Sequence, residues 1–228
     1  MPTDDWLKTH FNYGYDSGDV LAETPDSTRA AEERYIGGSY HAYFRQVLAP
    51  KIDPAHTVLE LGPGAGSWTR AVLSLVTTGS VHTCDFQDVT PWLKPEQYGR
   101  RLTCHRVCDN SFSVLEDASI DMFFSVGVLC HCTLAMIGEI FTNSLRKMRP
   151  GALSVHHYGD WDKLERRGFA VSGVPEEFRD LPDEEIWWPR NNPARMSAAA
   201  SAAGWRVLQG DVGCFERDSV IVLQRPPG

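Results

Sequence analysis

No stretch of this sequence approaches the roughly 18 consecutive apolar residues that a membrane-spanning helix requires, so no membrane partner is expected. Positive charge is in short supply: 22 Lys and Arg stand against 30 Asp and Glu, a formal net charge of −8. A general nucleic-acid binder carries a basic face, and this balance argues against one. Cysteine is scarce, with six in 228 residues, too few for a disulfide scaffold at this length. Most of the six sit in or beside apolar runs, as the buried free thiols of a reducing compartment do. Cys130 and Cys132 flank His131 with one residue between them, a poor match to usual zinc spacing, and no metal is expected. The first residues, "MPTDDWLKTH", lack a basic start followed by an apolar stretch, which predicts no signal peptide and a cytoplasmic location. Internal repeats and low-complexity tracts are absent. None of these properties sets an oligomeric state.

What the sequence does contain, from Thr57 onward, is an alternation of short apolar runs with helical periodicity. "TVLEL", "SVHTCDF", "RLTCHRV", "SIDMFFSVGV" and "ALSVHHY" read as strands. Helices are expected from about Ser67 and over Leu134 to Met148, the second stopped by "RPG". "ARMSAAASAAG" reads as a last helix closed by Gly204. "WRVLQG" and "SVIVLQR" read as a closing antiparallel pair. Alternating strands and helices imply an α/β fold, with a mostly parallel sheet covered on both faces. Two segments stand outside this pattern. Residues 1–52 are rich in aromatics, among them Trp6, Phe11, Tyr13, Tyr15, Tyr35 and Tyr40, and are helical in their second half with a break at Gly37-Gly38. Residues 159–192 hold three of the seven tryptophans. A connection that long in a compact domain has structure or work of its own.

The turn "ELGPGAG" follows the first strand and opens a helix. A P-loop needs Gly-Lys-Ser/Thr at its end, and none follows. A dinucleotide turn reads G-x-G-x-x-G, whereas here Gly62, Gly64 and Gly66 give G-x-G-x-G, with Ser67 in the sixth position. Asp85 lies 19 residues beyond Gly66 at the tip of the second strand. In an open α/β sheet the ligand lies across such tips, where a carboxylate can accept hydrogen bonds from both hydroxyls of a ribose. Glu60 adds a carboxylate before the first glycine. It would repel a pyrophosphate and suit a cation.

From Thr57 to Gln224 the sequence resembles the class I S-adenosylmethionine-dependent methyltransferases. The likeness rests on "ELGPGAG", Asp85, "CDNSF" at Cys108 to Phe112, "DMFFSVGVLCH" and "LRKMRPGA", in that order and spacing. It implies a seven-stranded sheet with the last strand antiparallel, helices on both faces, and residues 53–228 as the S-adenosylmethionine-binding domain. Residues 1–52 would form an amino-terminal helical lid, and residues about 159–192 a substrate-facing insertion. By the same likeness, Gly62, Gly64 and Gly66 admit the methionine part of the cofactor and Glu60 sits near its ammonium group, directly or through water. Asp85 would hold the ribose, Phe86 would lie against adenine, and Asp109 with Asn110 would meet the adenine amino group. Ser125 would border the sulfonium. Asp109 also reads as a turn cap, and Phe86 as plain core.

Methyl transfer to a hydroxyl or protonated amine gains from a base, and histidine suits that role near neutral pH. His131, beyond the fourth strand, is the first candidate and His157, at the end of the fifth, the second. His156, its neighbour, is a further candidate, and because adjacent strand residues face opposite ways at most one of the pair faces the site. Alignment alone, without a protein base, is the alternative. Tyr158, Trp161, Trp187, Trp188 and Arg190 are candidates for holding an acceptor. Trp187 and Trp188 equally read as pins between insertion and core. The expected function is methyl transfer to a small molecule, on an oxygen of a sugar-like or other natural-product metabolite. N-methylation, an NAD-dependent oxidoreductase and a non-catalytic cofactor-binding module are the alternatives.

Overall fold

The computed structural model describes residues 14–227. Trp6, Phe11 and Tyr13 of the expected lid therefore lie outside the described residues. Helix α1 (Ser27–Ile36) starts where the Asp26 side chain accepts from the Arg29 N–H, and stops at Gly37 in the left-handed conformation. A helical run over Tyr40–Lys51 follows, passing through a π-turn at Phe44–Leu48. Tyr40 and Tyr43 from this run pack edge-on against Trp68.

The seven strands are β1 (Thr57–Leu61), β2 (Ser80–Asp85), β3 (Leu102–Arg106), β4 (Ile120–Ser125), β5 (Met148–Gly159), β6 (Arg206–Gln209) and β7 (Asp218–Gln224). They form one sheet in the order β3-β2-β1-β4-β5-β7-β6. Strands β1 to β5 pair in parallel, and β7 runs antiparallel to both neighbours. The strand runs are continuously apolar because both faces are covered. Val58, Met122, Phe124 and Val155 pack into one core, while Leu59, Phe123, Ile221 and Leu223 pack into the other. The helices covering them include α2 (Ser67–Leu73), α3 (Leu134–Leu145) and α5 (Pro193–Ala202).

The architecture expected from the sequence is the one observed, apart from the end of α3. That helix stops at Leu145, and Met148 with "RPG" belongs to β5, where the β4–β5 register shifts between Ile120 and Met122. The irregular pairing absorbs the proline, which cannot donate to the ladder. Residues 159–192 hold helix α4 (Trp161–Arg167), a turn of helix at Phe169–Ser172 and two 3₁₀ turns. Leu164, Phe169, Phe178, Ile186 and Trp188 give the insertion a small core of its own.

Candidate active site

The carboxyl ends of β1, β2, β4 and β5 open onto a cavity of about 520 Å³. The glycine turn forms one wall. Gly62, Gly64 and Gly66 have φ of 66°, 54° and 88°, a region that side chains disfavour. A Cβ on Gly62 would come within 2.4 Å of Val128 Cγ2, and one on Gly64 within 2.4 Å of the Tyr15 carbonyl oxygen. The space at Gly64 is therefore taken by the chain itself. Residues 14–18 latch onto the turn: the Ala65 N–H donates to the Tyr15 carbonyl at 2.8 Å, and the Ser17 N–H to Ser67 Oγ at 3.1 Å. Trp68 Nε1 donates to Ser17 Oγ at 3.1 Å. Gly66 is off the cavity wall and caps α2.

For Glu60 the expectation of direct contact is corrected. Its carboxylate lies beneath the turn, accepts the Thr69 hydroxyl at 2.6 Å and does not line the cavity. Residues alternate along β1, and Glu60 is turned into the protein interior. Burial pushes its pKa up to about 8, with Asp85 adding to the rise and the Thr69 bond opposing it. A folded-state pKa above the unfolded value of about 4.3 means stability that is present at low pH and lost as pH rises through 8. Between pH 5 and 8 the wild type is expected to lose of order 3 kcal/mol relative to Glu60→Gln. Urea midpoints of both proteins at both pH values measure this, and parallel pH profiles would contradict it.

Asp85, Phe86, Asp109 and Asn110 line the neighbouring wall. Asp85 accepts the Gln87 N–H at 2.9 Å, and burial raises its pKa against that bond. Asp109 accepts the Ser111 N–H at 2.9 Å, the turn-capping geometry, while remaining on the cavity wall. Val107, Phe112, Met136 and Ile140 add an apolar surface between them.

The histidines separate clearly. His131 lines the cavity, and its Nδ1 lies 2.8 Å from the Trp187 carbonyl oxygen. A carbonyl only accepts, so Nδ1 carries the proton and Nε2 is the basic nitrogen. Burial lowers the His131 pKa to about 4, opposed by the bond to Trp187. His157 also lines the cavity, but both its nitrogens are engaged: Nδ1 accepts the Gly127 N–H at 3.1 Å, and Nε2 donates to Asp218 at 2.8 Å. His157 thus anchors the loop after β4 rather than presenting a base. His156 faces the opposite core, with Nδ1 2.8 Å from Ser125 Oγ.

Four further expectations are corrected. Ser125 is fully buried on His156 and off the cavity wall. Tyr158 is buried, its hydroxyl donating to the Gly210 carbonyl at 2.7 Å. Arg190 bonds to Asp183 at 2.7 Å and to the Phe178 and Arg179 carbonyls, and its guanidinium covers the Trp161 ring at 4.5 Å. Those two side chains stitch the insertion together and do not reach the cavity. Trp187 and Trp188 pack within the insertion and also line the cavity.

No protein-family model matches the chain. The highly reducing polyketide synthase verA of Penicillium polonicum is 26% identical over 180 residues, which is 75% of this chain and 6% of that protein. A SAM dependent methyltransferase from Aquifex aeolicus superposes with a TM-score of 0.56 at 17% identity, covering 80% of this chain and 92% of that one. The mitomycin 7-O-methyltransferase MmcR gives a TM-score of 0.57 at 16% identity, covering 78% of this chain and 52% of that one. The chain has the fold of the S-adenosylmethionine-dependent methyltransferases.

Within this methyltransferase fold, the sequence reading missed Arg217 and Glu32, which line the same cavity as Tyr35 and Tyr40. Arg217 is paired with Asp218 through Nε at 2.9 Å and Nη2 at 2.7 Å. Burial would raise the Asp218 pKa, but Arg217 and His157 hold it below the usual carboxylate range. The signal was present: "RD" stands directly before "SVIVL", and a charge pair entering a fully buried strand requires partners.

Proposed function

We propose that the cavity binds S-adenosylmethionine and that the protein transfers its methyl group to an oxygen of a small-molecule acceptor. One observation carries this reading. A single cavity gathers the glycine turn, Asp85, the Asp109-Asn110 wall and the basic Nε2 of His131. The donor set fits the cofactor: a carboxylate at a strand tip for the ribose, and an apolar slot beside Phe86 for a purine. The likeness to a 7-O-methyltransferase and to a polyketide synthase supports a natural-product acceptor.

When bound, S-adenosylmethionine supplies an electrophilic sulfonium methyl. The protein holds the acceptor oxygen in line with it, and such alignment contributes several kcal/mol towards the barrier. His131 Nε2 takes the acceptor proton, while Nδ1–H stays on the Trp187 carbonyl and fixes the ring. His157 fixes Gly127 at the tip of β4. Gly14, Tyr15 and Ser17, with Ser172, Trp187 and Trp188 of the insertion, line the cavity.

The test is Asp85→Ala. Each hydrogen bond to a charged acceptor contributes about 1.5–3 kcal/mol, so losing two ribose bonds is expected to weaken S-adenosylhomocysteine binding at least tenfold. Calorimetry on a folded variant checks this, and unchanged affinity removes the ribose assignment.

A further inference from the structure

Arg217, Trp188, Ser172, Tyr35, Tyr40 and Glu32 all line the cavity. Arg217 is 8% exposed, and it opens onto the cavity. A guanidinium has five N–H donors. Three are used: Nε and Nη2 on Asp218, and Nη1 on the Ser172 carbonyl at 2.9 Å. Two N–H groups, one on each terminal nitrogen, have no partner among the described residues. Ser172 Oγ is likewise buried without a partner among the described residues. The Arg217 guanidinium sits 4.5 Å over the Trp188 ring, which holds the fork in place. Arg217 therefore brings unmatched donors to the cavity wall, and a buried donor left unmatched costs free energy. Net positive charge is lacking, however, because Asp218 already pairs with Arg217 and Glu32 lines the same space. Four aromatic side chains, Tyr35, Tyr40, Trp187 and Trp188, give flat walls.

We infer that Arg217 sets acceptor specificity by donating its two uncommitted N–H groups to a carbonyl oxygen, and that the acceptor is a neutral, flat, carbonyl-bearing hydroxy compound. A carboxylate is disfavoured because the Arg217 charge is already matched and Glu32 repels it. A compound without the carbonyl leaves the donors unmatched. The inference rests on the methyltransferase reading of the cavity.

The test uses three probes titrated by calorimetry into protein saturated with S-adenosylhomocysteine: para-hydroxyacetophenone, para-hydroxybenzoate and para-ethylphenol. The ketone is expected to bind at least about tenfold more tightly than either of the others. Arg217→Lys keeps a cation opposite Asp218 but loses the planar fork. It is expected to bring the ketone within about twofold of ethylphenol while S-adenosylhomocysteine affinity holds. The inference is overturned if the benzoate binds best, if the ketone shows no preference or no binding, or if a folded Arg217→Lys keeps the preference. The comparison of probes on the wild type decides the matter even if the variant does not fold. Failure of S-adenosylhomocysteine itself to bind would count against the methyltransferase reading, and so is told apart from failure of the acceptor class.

Discussion

Replacing His131 with alanine is expected to lower kcat by about 10²–10⁴-fold, with cofactor affinity unchanged. In the proposed mechanism the imidazole acts on the acceptor, so its loss falls on the chemical step. A base with a pKa of about 4 is weaker than one near neutrality, which puts the expected loss towards about 10²-fold. The low pKa also fixes the pH profile. His131 works only when neutral, so the wild-type rate is expected to hold as pH falls past 6.5 and to drop towards pH 4. The alanine variant should lose that acidic limb. Its melting temperature is checked first, because the substitution also removes the bond to the Trp187 carbonyl. A folded variant losing less than about fivefold would assign the acceleration to alignment alone.

Gly64→Val is expected to weaken S-adenosylhomocysteine binding by at least about a hundredfold, for two combined reasons. Valine at φ of 54° is strained, and its Cβ would meet the Tyr15 carbonyl oxygen at 2.4 Å. That obstacle is backbone and cannot rotate aside. Either the turn shifts or residues 14–18 detach, with loss of the bonds from Ala65 and Trp68. Both outcomes rebuild the cavity wall proposed to face the cofactor. Calorimetry with circular dichroism measures the result, and a folded variant within about threefold of wild type would show that the turn takes no part in binding.

Some of this was legible in the sequence and some was not. Strands such as "TVLEL" and "SIDMFF" stood out because both their faces are buried, which makes them apolar throughout. That the turn, Asp85 and the Asp109-Asn110 pair would line one cavity was legible because strand-tip positions depend on local order along the chain. Side-chain direction was harder. Glu60 and Ser125 stand at strand tips, yet both turn inward, because one residue of register exchanges the two faces. Adjacent His156 and His157 were expected to face apart, and they do. That both nitrogens of His157 would be engaged depends on Gly127 and Asp218, distant in sequence. Arg190 looked like a ligand-binding group because its partner, Asp183, lies in an irregular segment without a pattern.

The central claim is that this cavity is built for S-adenosylmethionine rather than for a dinucleotide. Titration of the wild-type protein with S-adenosylhomocysteine, and separately with NAD, tests it most directly. S-adenosylhomocysteine is expected to bind saturably at one site per chain, and NAD to give no measurable heat. Binding of NAD with S-adenosylhomocysteine inert would contradict it.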